Sequence, residues 1–241
     1  GFSGVLLAIP NGKVAQKEGD SIYVSAFYID ATEVCNLHYR AFLRWNNRVY
    51  SSIPQVSKSL LPDTSIWVKI YPDEAIGNLL KRNYFRNPAF DYYPVVGVTW
   101  QQAQAYALWR TNRMNEAILI DKEKIRAEAE GQHGENHFDT YNFLAGIYEA
   151  IPGERPMFRI ETGEERRVVA ADELLVPYYR LPTSEELKQA AKVAKDYSKH
   201  KALQVFRKKV EAHTKKYPKP TFYDHKQYRL PYCIVEPKAT K

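Results

Sequence analysis

The stretch YPVVGVTWQQAQAYALWR, residues 93–110, carries an apolar, β-branched run straight into a helix start. Tyr93 to Val98 predict a buried strand. Thr99 then occupies an N-cap position with Gln102 three residues on, the pattern of a capping box, in which each side chain serves the other residue's backbone N–H. Ala103, Tyr106, Ala107, Arg110, Met114 and Ala117 follow at helical spacing and predict one packed face. This junction requires an extended segment and a helix next to one another in the chain.

Around it, GVLLAIPNGKV predicts a strand and a turn at Asn11-Gly12, and SIYVSAFYID alternates as a strand does. CNLHYRAFLRW shifts to helical spacing through Leu37, Tyr39, Phe42 and Leu43. From Asn46 to Tyr93, four prolines and scattered aromatics predict long ordered loops. Their aromatics, Tyr71, Tyr84, Phe85, Phe90, Tyr92 and Tyr93, are expected to hold those loops from inside, a minority serving as partner anchors. Residues 121–136 are charged and predict a solvent-borne continuation of the helix that starts near Trp100. RPMFRIETGEERRVV suggests a hairpin around Thr162-Gly163. A second capping box, Thr183 with Glu186, opens a helix. Ala202, Val205, Phe206, Val210 and His213 mark an amphipathic helix with a Lys-rich opposite face, ended by Pro218 and Pro220.

Charge is uneven along the 241 residues. Residues 188–241 hold 15 Lys and Arg against 4 Asp and Glu, a balance of +11 in a chain of net charge +7, which leaves −4 for residues 1–187. The basic character belongs to the C-terminal quarter. A hydrophobic content of 44% supports a sizeable core rather than wholesale disorder. No apolar run approaches the roughly 18–20 residues of a membrane span. Gly1 in place of Met suggests a processed or trimmed chain, in which any preceding signal peptide or lipid-bearing Cys would not be visible.

Cys35 and Cys233 are too few for a disulfide scaffold and lack metal-ligand spacing. One disulfide and two separate buried thiols both remain open. His133 and His137, with Glu135 between them, are four residues apart, the spacing of a helical metal pair. Gly131 and Gly134 argue against a helix there, and no third ligand is evident, so a solvated polar loop is expected. His38 is expected on a helix surface or half-buried, and His200, His213 and His225 in the basic tail. No phosphate-cradling Gly-rich loop and no Gly-x-Ser-x-Gly elbow occur. Adjacent pairs such as Asp73-Glu74 and Glu164-Glu165 read as solvated.

The order of the motifs FYIDATEVCNLHYRAFLRW, LPDTSIW, NPAFDYYPVVGVTWQQAQAYALWR and YRLPTSEELKQAA resembles the formylglycine-generating enzyme, or sulfatase-modifying factor, family. Characteristic phrases there are Phe-x-x-Asp-x-x-Glu-Val-Thr-Asn, Tyr-Pro-Val-Val-x-Val-Ser-Trp and Arg-Leu-Pro-Thr-Glu-Ala-Glu-Trp-Glu. The resemblance runs from about Phe27 to about Ala191. LLPDTSIWVKIYPDEAIGNLLKRNYFRNPAF followed by WRTNRMNEAIL resembles, more narrowly, the gliding-motility lipoproteins of the type IX secretion machinery. The resemblance implies an α+β, loop-rich fold of the C-type-lectin-like kind. It would comprise a shortened sulfatase-modifying-factor-like domain over residues 1–191 and a Lys-rich helix with a Pro-containing tail over residues 192–241.

The oxidase branch of that family uses two neighbouring cysteines as copper thiolates, and the sulfoxide-synthase branch uses a histidine cluster with iron. Here Cys233 stands alone in LPYCIVEP, and Cys35 occupies the Thr position of TEVCN, where a helix cap is expected. The Gly- and Trp-rich phrases that the enzymes carry after the Arg-Leu-Pro-Thr helix are missing. The resemblance therefore implies a pseudoenzyme with no catalytic residues, no cofactor and no bound metal. It implies a structural or interaction subunit of a secretion or gliding complex at the periplasmic face of the outer membrane. Its partners would be other envelope subunits or copies of itself, with no small-molecule substrate. Membrane association would be indirect or through a preceding lipid anchor. Lys201, Lys208, Lys209, Lys215 and Lys216 form the candidate interaction surface, suited to an acidic partner. The alternatives are a metal-dependent oxidase of the formylglycine-generating type and, through the basic tail, a nucleic-acid binder, which no accompanying motif supports.

Overall fold

A computed structural model describes residues 5–15, 19–71, 73–122, 124–125, 132–148, 157–159, 165–167, 176–193 and 234–238, with single helical positions between 204 and 216. The elements combine helices with small antiparallel sheets, an α+β fold. Two compact units emerge, one from Gly1–Ala41, Leu61–Gln104 and Arg180–Val235, the other from Phe42–Leu60, Ala105–Tyr179 and Glu236–Lys241. Among the described residues no helix is long and apolar enough to cross a membrane.

In the first unit, β1 (Leu6–Ile9) pairs antiparallel with β4 (Phe27–Asp30), and β2 (Gly12–Ala15) with β3 (Ser21–Val24). SIYVSAFYID is therefore two strands broken at Ser25-Ala26, not one. The break reverses the side-chain parity, so that Val24 is buried, as are Phe27 and Ile29 after it. Leu7, Ile9, Val14, Val24, Phe27 and Ile29 form one core, closed by Leu187, Ala190 and Val193 of α7 (Ser184–Val193). A strand not foreseen in the sequence, β8 (Ile234–Lys238), adds to the other side of β4, with Val235 opposite Tyr28.

The stretch expected as loops is largely helical. The described residues contain α2 (Pro54–Ser59), α3 (Ile66–Ile70), α4 (Glu74–Asn83) and a 3₁₀ turn over Pro88–Phe90. Pro54 and Pro88 sit in first turns, where a missing N–H costs nothing, and so start helices instead of breaking them. Asp73 caps α4, its carboxylate accepting from the Ala75 and Ile76 N–H groups at 2.9 and 3.1 Å. The loop aromatics do turn inward: Trp67, Leu80, Tyr84, Phe90, Tyr93 and Val96 form a second core in this unit.

YPVVGVTW is buried at Val95 and Val96 but makes a single bridge, Pro94 opposite Cys35, rather than a ladder strand. It is fixed point by point. The Val95 N–H donates to Val34 O at 2.9 Å, and Asp63 N–H to Gly97 O at 2.7 Å. Gly97 has φ +80°, and a Cβ there would overlap the Asp63 carbonyl. The capping box at the start of α5 (Trp100–Asp121) is formed as its sequence implies: Thr99 N–H donates to Gln102 Oε1 at 2.8 Å, and Gln102 N–H to Thr99 Oγ1 at 3.2 Å.

The second capping box is formed too, with Thr183 N–H donating to Glu186 Oε2 at 2.7 Å and Glu186 N–H to Thr183 Oγ1 at 3.2 Å. Arg180 adds a two-pronged ion pair to the same carboxylate at 2.6 and 2.8 Å. Burial pushes the Glu186 carboxyl up, but the Arg180 and Thr183 hydrogen bonds and the Arg180 charge outweigh it, and the group lies below the usual carboxylate range.

In the second unit, α5 does not continue into solvent. It ends at Asp121, and the Lys124 N–H donates back to Leu119 O at 2.8 Å. Ile125 is thereby buried with Leu119, Phe138, Phe143 and Tyr148, because burying one more apolar side chain is worth about 1.5–3 kcal/mol. A short helix, α6 (Thr140–Leu144), follows. The hairpin foreseen around Thr162-Gly163 is present in register as β5 (Met157–Arg159) and β6 (Glu165–Arg167), with Phe158 opposite Arg166.

Gly97→Ala should lower stability by about 3 kcal/mol, the sum of a left-handed backbone penalty and a clash with fixed backbone. Gly19→Ala, at φ +89° with open space around it, should cost only about 1 kcal/mol; equal losses in urea titrations would refute the clash. The Glu186 pair should give a distinct pH signature. A depressed carboxylate contributes fully above its unfolded value of about 4.3 and loses that contribution as pH falls through the lower folded value. Glu186→Gln should thus cost about 2 kcal/mol at pH 7 and progressively less below about pH 4, measured as unfolding midpoints across pH.

Candidate functional site

Cys35 immediately precedes α1 (Asn36–Val49). Its sulfur accepts the backbone N–H groups of His38 and Leu37, so it caps the helix as a Thr would. The thiol is free and buried. Burial is the largest influence on it and pushes its pKa up, which disfavours the thiolate that a copper ligand must be. Cys233 lies outside the described residues.

The His133–His137 stretch departs from the solvated loop expected of it. Gly134 takes φ +55° and opens a 3₁₀ turn over Gly134–Asn136. His133 is exposed, but His137 is half-buried. Its ring packs edge-on against Trp45 and Tyr50, with centroids 5.2 and 5.6 Å away, and its Nδ1 lies 2.6 Å from Gly134 O. The aromatic faces of Trp45 and Tyr50 draw the imidazole inward, and the sequence pattern carried no sign of them. Among the described residues no group of three or more His, Cys, Asp or Glu is placed to hold a metal ion.

The unforeseen feature is the polar middle of α5. Beyond Tyr106, Ala107, Trp109, Arg110 and Leu119, the buried positions are Thr111, Asn112, Arg113 and Asn115, while Ala117, expected on the packed face, is exposed. Arg113 donates to Glu116 Oε2 at 2.5 Å, Gln132 Oε1 at 3.0 Å and Phe138 O at 2.7 Å. Its guanidinium also lies 4.6 Å from the Trp45 ring centroid. Burial draws the Arg113 pKa down, and the Glu116 charge opposes this. Gln132 closes the triangle by donating to Glu116.

One turn away, Asn112 donates to Asp139 Oδ2 at 2.9 Å and accepts the Thr140 N–H at 3.1 Å. Asn115 donates to Thr140 Oγ1 and Pro177 O at 3.1 and 3.2 Å. Thr111 accepts the Tyr179 N–H at 2.9 Å, and Arg110 stacks on the Tyr179 ring at 4.3 Å. RTNRMNE thus anchors both residues 132–142 and β7 (Val176–Arg180) by its side chains. The signal lay in the sequence as polar residues at six of the seven positions from Arg110 to Glu116, broken by Met114, a pattern that suits neither an exposed nor an apolar face.

Several large apolar side chains face outward. In the first unit these include Trp100, 63% exposed, and Leu61, whose carbonyl accepts from Gln102 Nε2 at 3.0 Å. In the second they include Tyr141, 76% exposed, and Ile147. Of the Lys surface, Lys208, Lys215 and Lys216 are helical and exposed; Lys201 and Lys209 lie outside the described residues.

The model of the Sulfatase-modifying factor enzyme 1-like domain matches residues 5–238, and the chain belongs to that family. The match spans both units and reaches β8. Comparison with curated proteins and with solved structures gives no match.

Arg113→Lys should destabilise the protein by about 2–4 kcal/mol, because an ammonium cannot serve three acceptors in the plane of a fork while leaving Glu116 satisfied. A guanidinium titration read by tryptophan fluorescence, which reports Trp45, tests this. A loss under about 0.5 kcal/mol, the range of ordinary surface changes, would remove Arg113 from its anchoring role.

Proposed function

We propose that this chain is a non-catalytic structural or interaction subunit of an outer-membrane-associated secretion or gliding-motility complex, acting at the periplasmic face. The scaffold would be C-type-lectin-like with a basic helical extension. The observation that carries this reading is the use made of RTNRMNE. The narrower resemblance rests in part on this stretch, and its polar side chains are spent on internal partners: the acceptors Phe138 O, Asp139, Thr140 and Pro177 O, and the donating Tyr179 N–H. Groups committed to rigidity suit a scaffold more than a reaction centre. Cys35 as a buried cap supports the same reading. Trp100 and Tyr141 offer the exposed aromatic anchors that dominate protein interfaces, and the Lys-rich segment offers charge for an acidic partner.

The family match also favours a second reading, a metal-dependent oxidase, since the family includes enzymes. Crosslinking in intact envelopes followed by co-purification separates the two. The scaffold reading expects defined envelope proteins or further copies of the chain to be recovered. It also expects Trp100→Ala or Tyr141→Ala to cut that recovery about tenfold or more while the fold persists. Stoichiometric copper or iron in the purified protein, lost in Cys233→Ser or His137→Ala, would overturn it in favour of the oxidase.

A further inference from the structure

We infer that Asn11 is a site of spontaneous deamidation and that isoaspartate formed there loosens the seat of α7 on the β2–β3 hairpin. Asn11-Gly12 is the one Asn-Gly pair in the chain. It lies at the entry to β2, with Pro10 and Asn11 exposed. In such a pair the Gly12 backbone nitrogen attacks Cγ of Asn11, with no side chain on the following residue to obstruct it. The new N–Cγ bond closes a five-membered succinimide. The Cγ–Nδ2 bond breaks, and Nδ2 leaves as ammonia with its own two protons and the one released by the Gly12 amide. Water then opens the ring at either carbonyl, giving aspartate or isoaspartate, with no change of oxidation state.

The position matters because both neighbours of Asn11 touch Gln189 of α7. Pro10 O accepts from Gln189 Nε2 at 3.2 Å, and a Cβ on Gly12 would overlap that same amide. One residue on, Lys13 O accepts from Lys192 Nζ at 2.8 Å. A side chain at residue 12 would have to displace the Gln189 amide, so the present contact depends on the glycine of the dipeptide most prone to cyclise. Isoaspartate routes the backbone through Cβ and adds one carbon between Pro10 and Gly12. The Pro10 carbonyl and Gly12 can no longer both meet Gln189 while β2 keeps its register, in which Gly12 faces Val24.

The test is incubation of the full chain at mildly alkaline pH and 37 °C, with peptide mapping for amide-to-acid conversion and for isoaspartate. Amide hydrogen exchange of Ser184–Val193 is then compared among the aged protein, fresh protein and fresh Asn11→Asp. Conversion is expected at Asn11 ahead of the exposed Asn47 and Asn87, the latter followed by Pro88, whose nitrogen cannot cyclise. The aged protein should exchange about fivefold to tenfold faster in α7, the change that losing one hydrogen bond produces. Asn11→Asp, which adds charge without lengthening the backbone, should match the fresh protein. Retention of the Asn11 amide, unchanged α7 exchange after conversion, or equal loosening in Asn11→Asp would each overturn the inference.

Discussion

The side-chain amide of Asn36 is fully buried and donates to Tyr84 O at 3.2 Å and Phe90 O at 2.9 Å. Its own backbone N–H donates to Tyr93 O at 2.9 Å. Residues 84–97 contain no ladder strand, so their buried carbonyls have to be met singly. Asn36 meets three of them, Arg40 reaches Phe85 O and the Asp91 carboxylate, and the Tyr84 hydroxyl closes on Pro94 O. A hydrogen bond between buried neutral groups adds only about 1 kcal/mol net, but an orphaned carbonyl costs about 1–3 kcal/mol. The irregular segment is therefore as fixed as a strand would be, and the aromatic core beneath it depends on that.

The second unit obeys the same rule. There a regular helix supplies the side chains and irregular segments supply the acceptors, through Asn112, Arg113 and Asn115. Arg113 is the costly member, since a buried cation is tolerable only when every neighbour is in place. Such a network favours one arrangement over near alternatives.

Much of this was legible in the chain, and the misses have physical causes. Both capping boxes could be read because a Thr and a Gln or Glu three apart act through local geometry alone. The β5–β6 hairpin could be read for the same reason. The short helices α2 to α4 could not, because a proline in a first turn and one between elements look alike without knowledge of which N–H groups are free. The interior of α5 misled because its burial is polar, and periodicity detects only apolar faces. His137 was placed in solvent because Trp45, nearly a hundred residues earlier, gives no local sign of packing on it. The β8 strand was hidden in a proline-containing tail, with Ile234-Val235 as its sole clue.

That last strand has a consequence for how the protein comes to be. Tyr28 of β4 finds Val235 of β8 as its neighbour across more than two hundred residues of intervening chain. At ribosomal speeds of roughly 5–20 residues per second, one flank of β4 waits about 10–40 s for its mate. Throughout synthesis that flank is an open template for wrong pairings. The last strand to be made is thus the one that closes this flank, and the sheet reaches its final form only when the distal end of the chain is available.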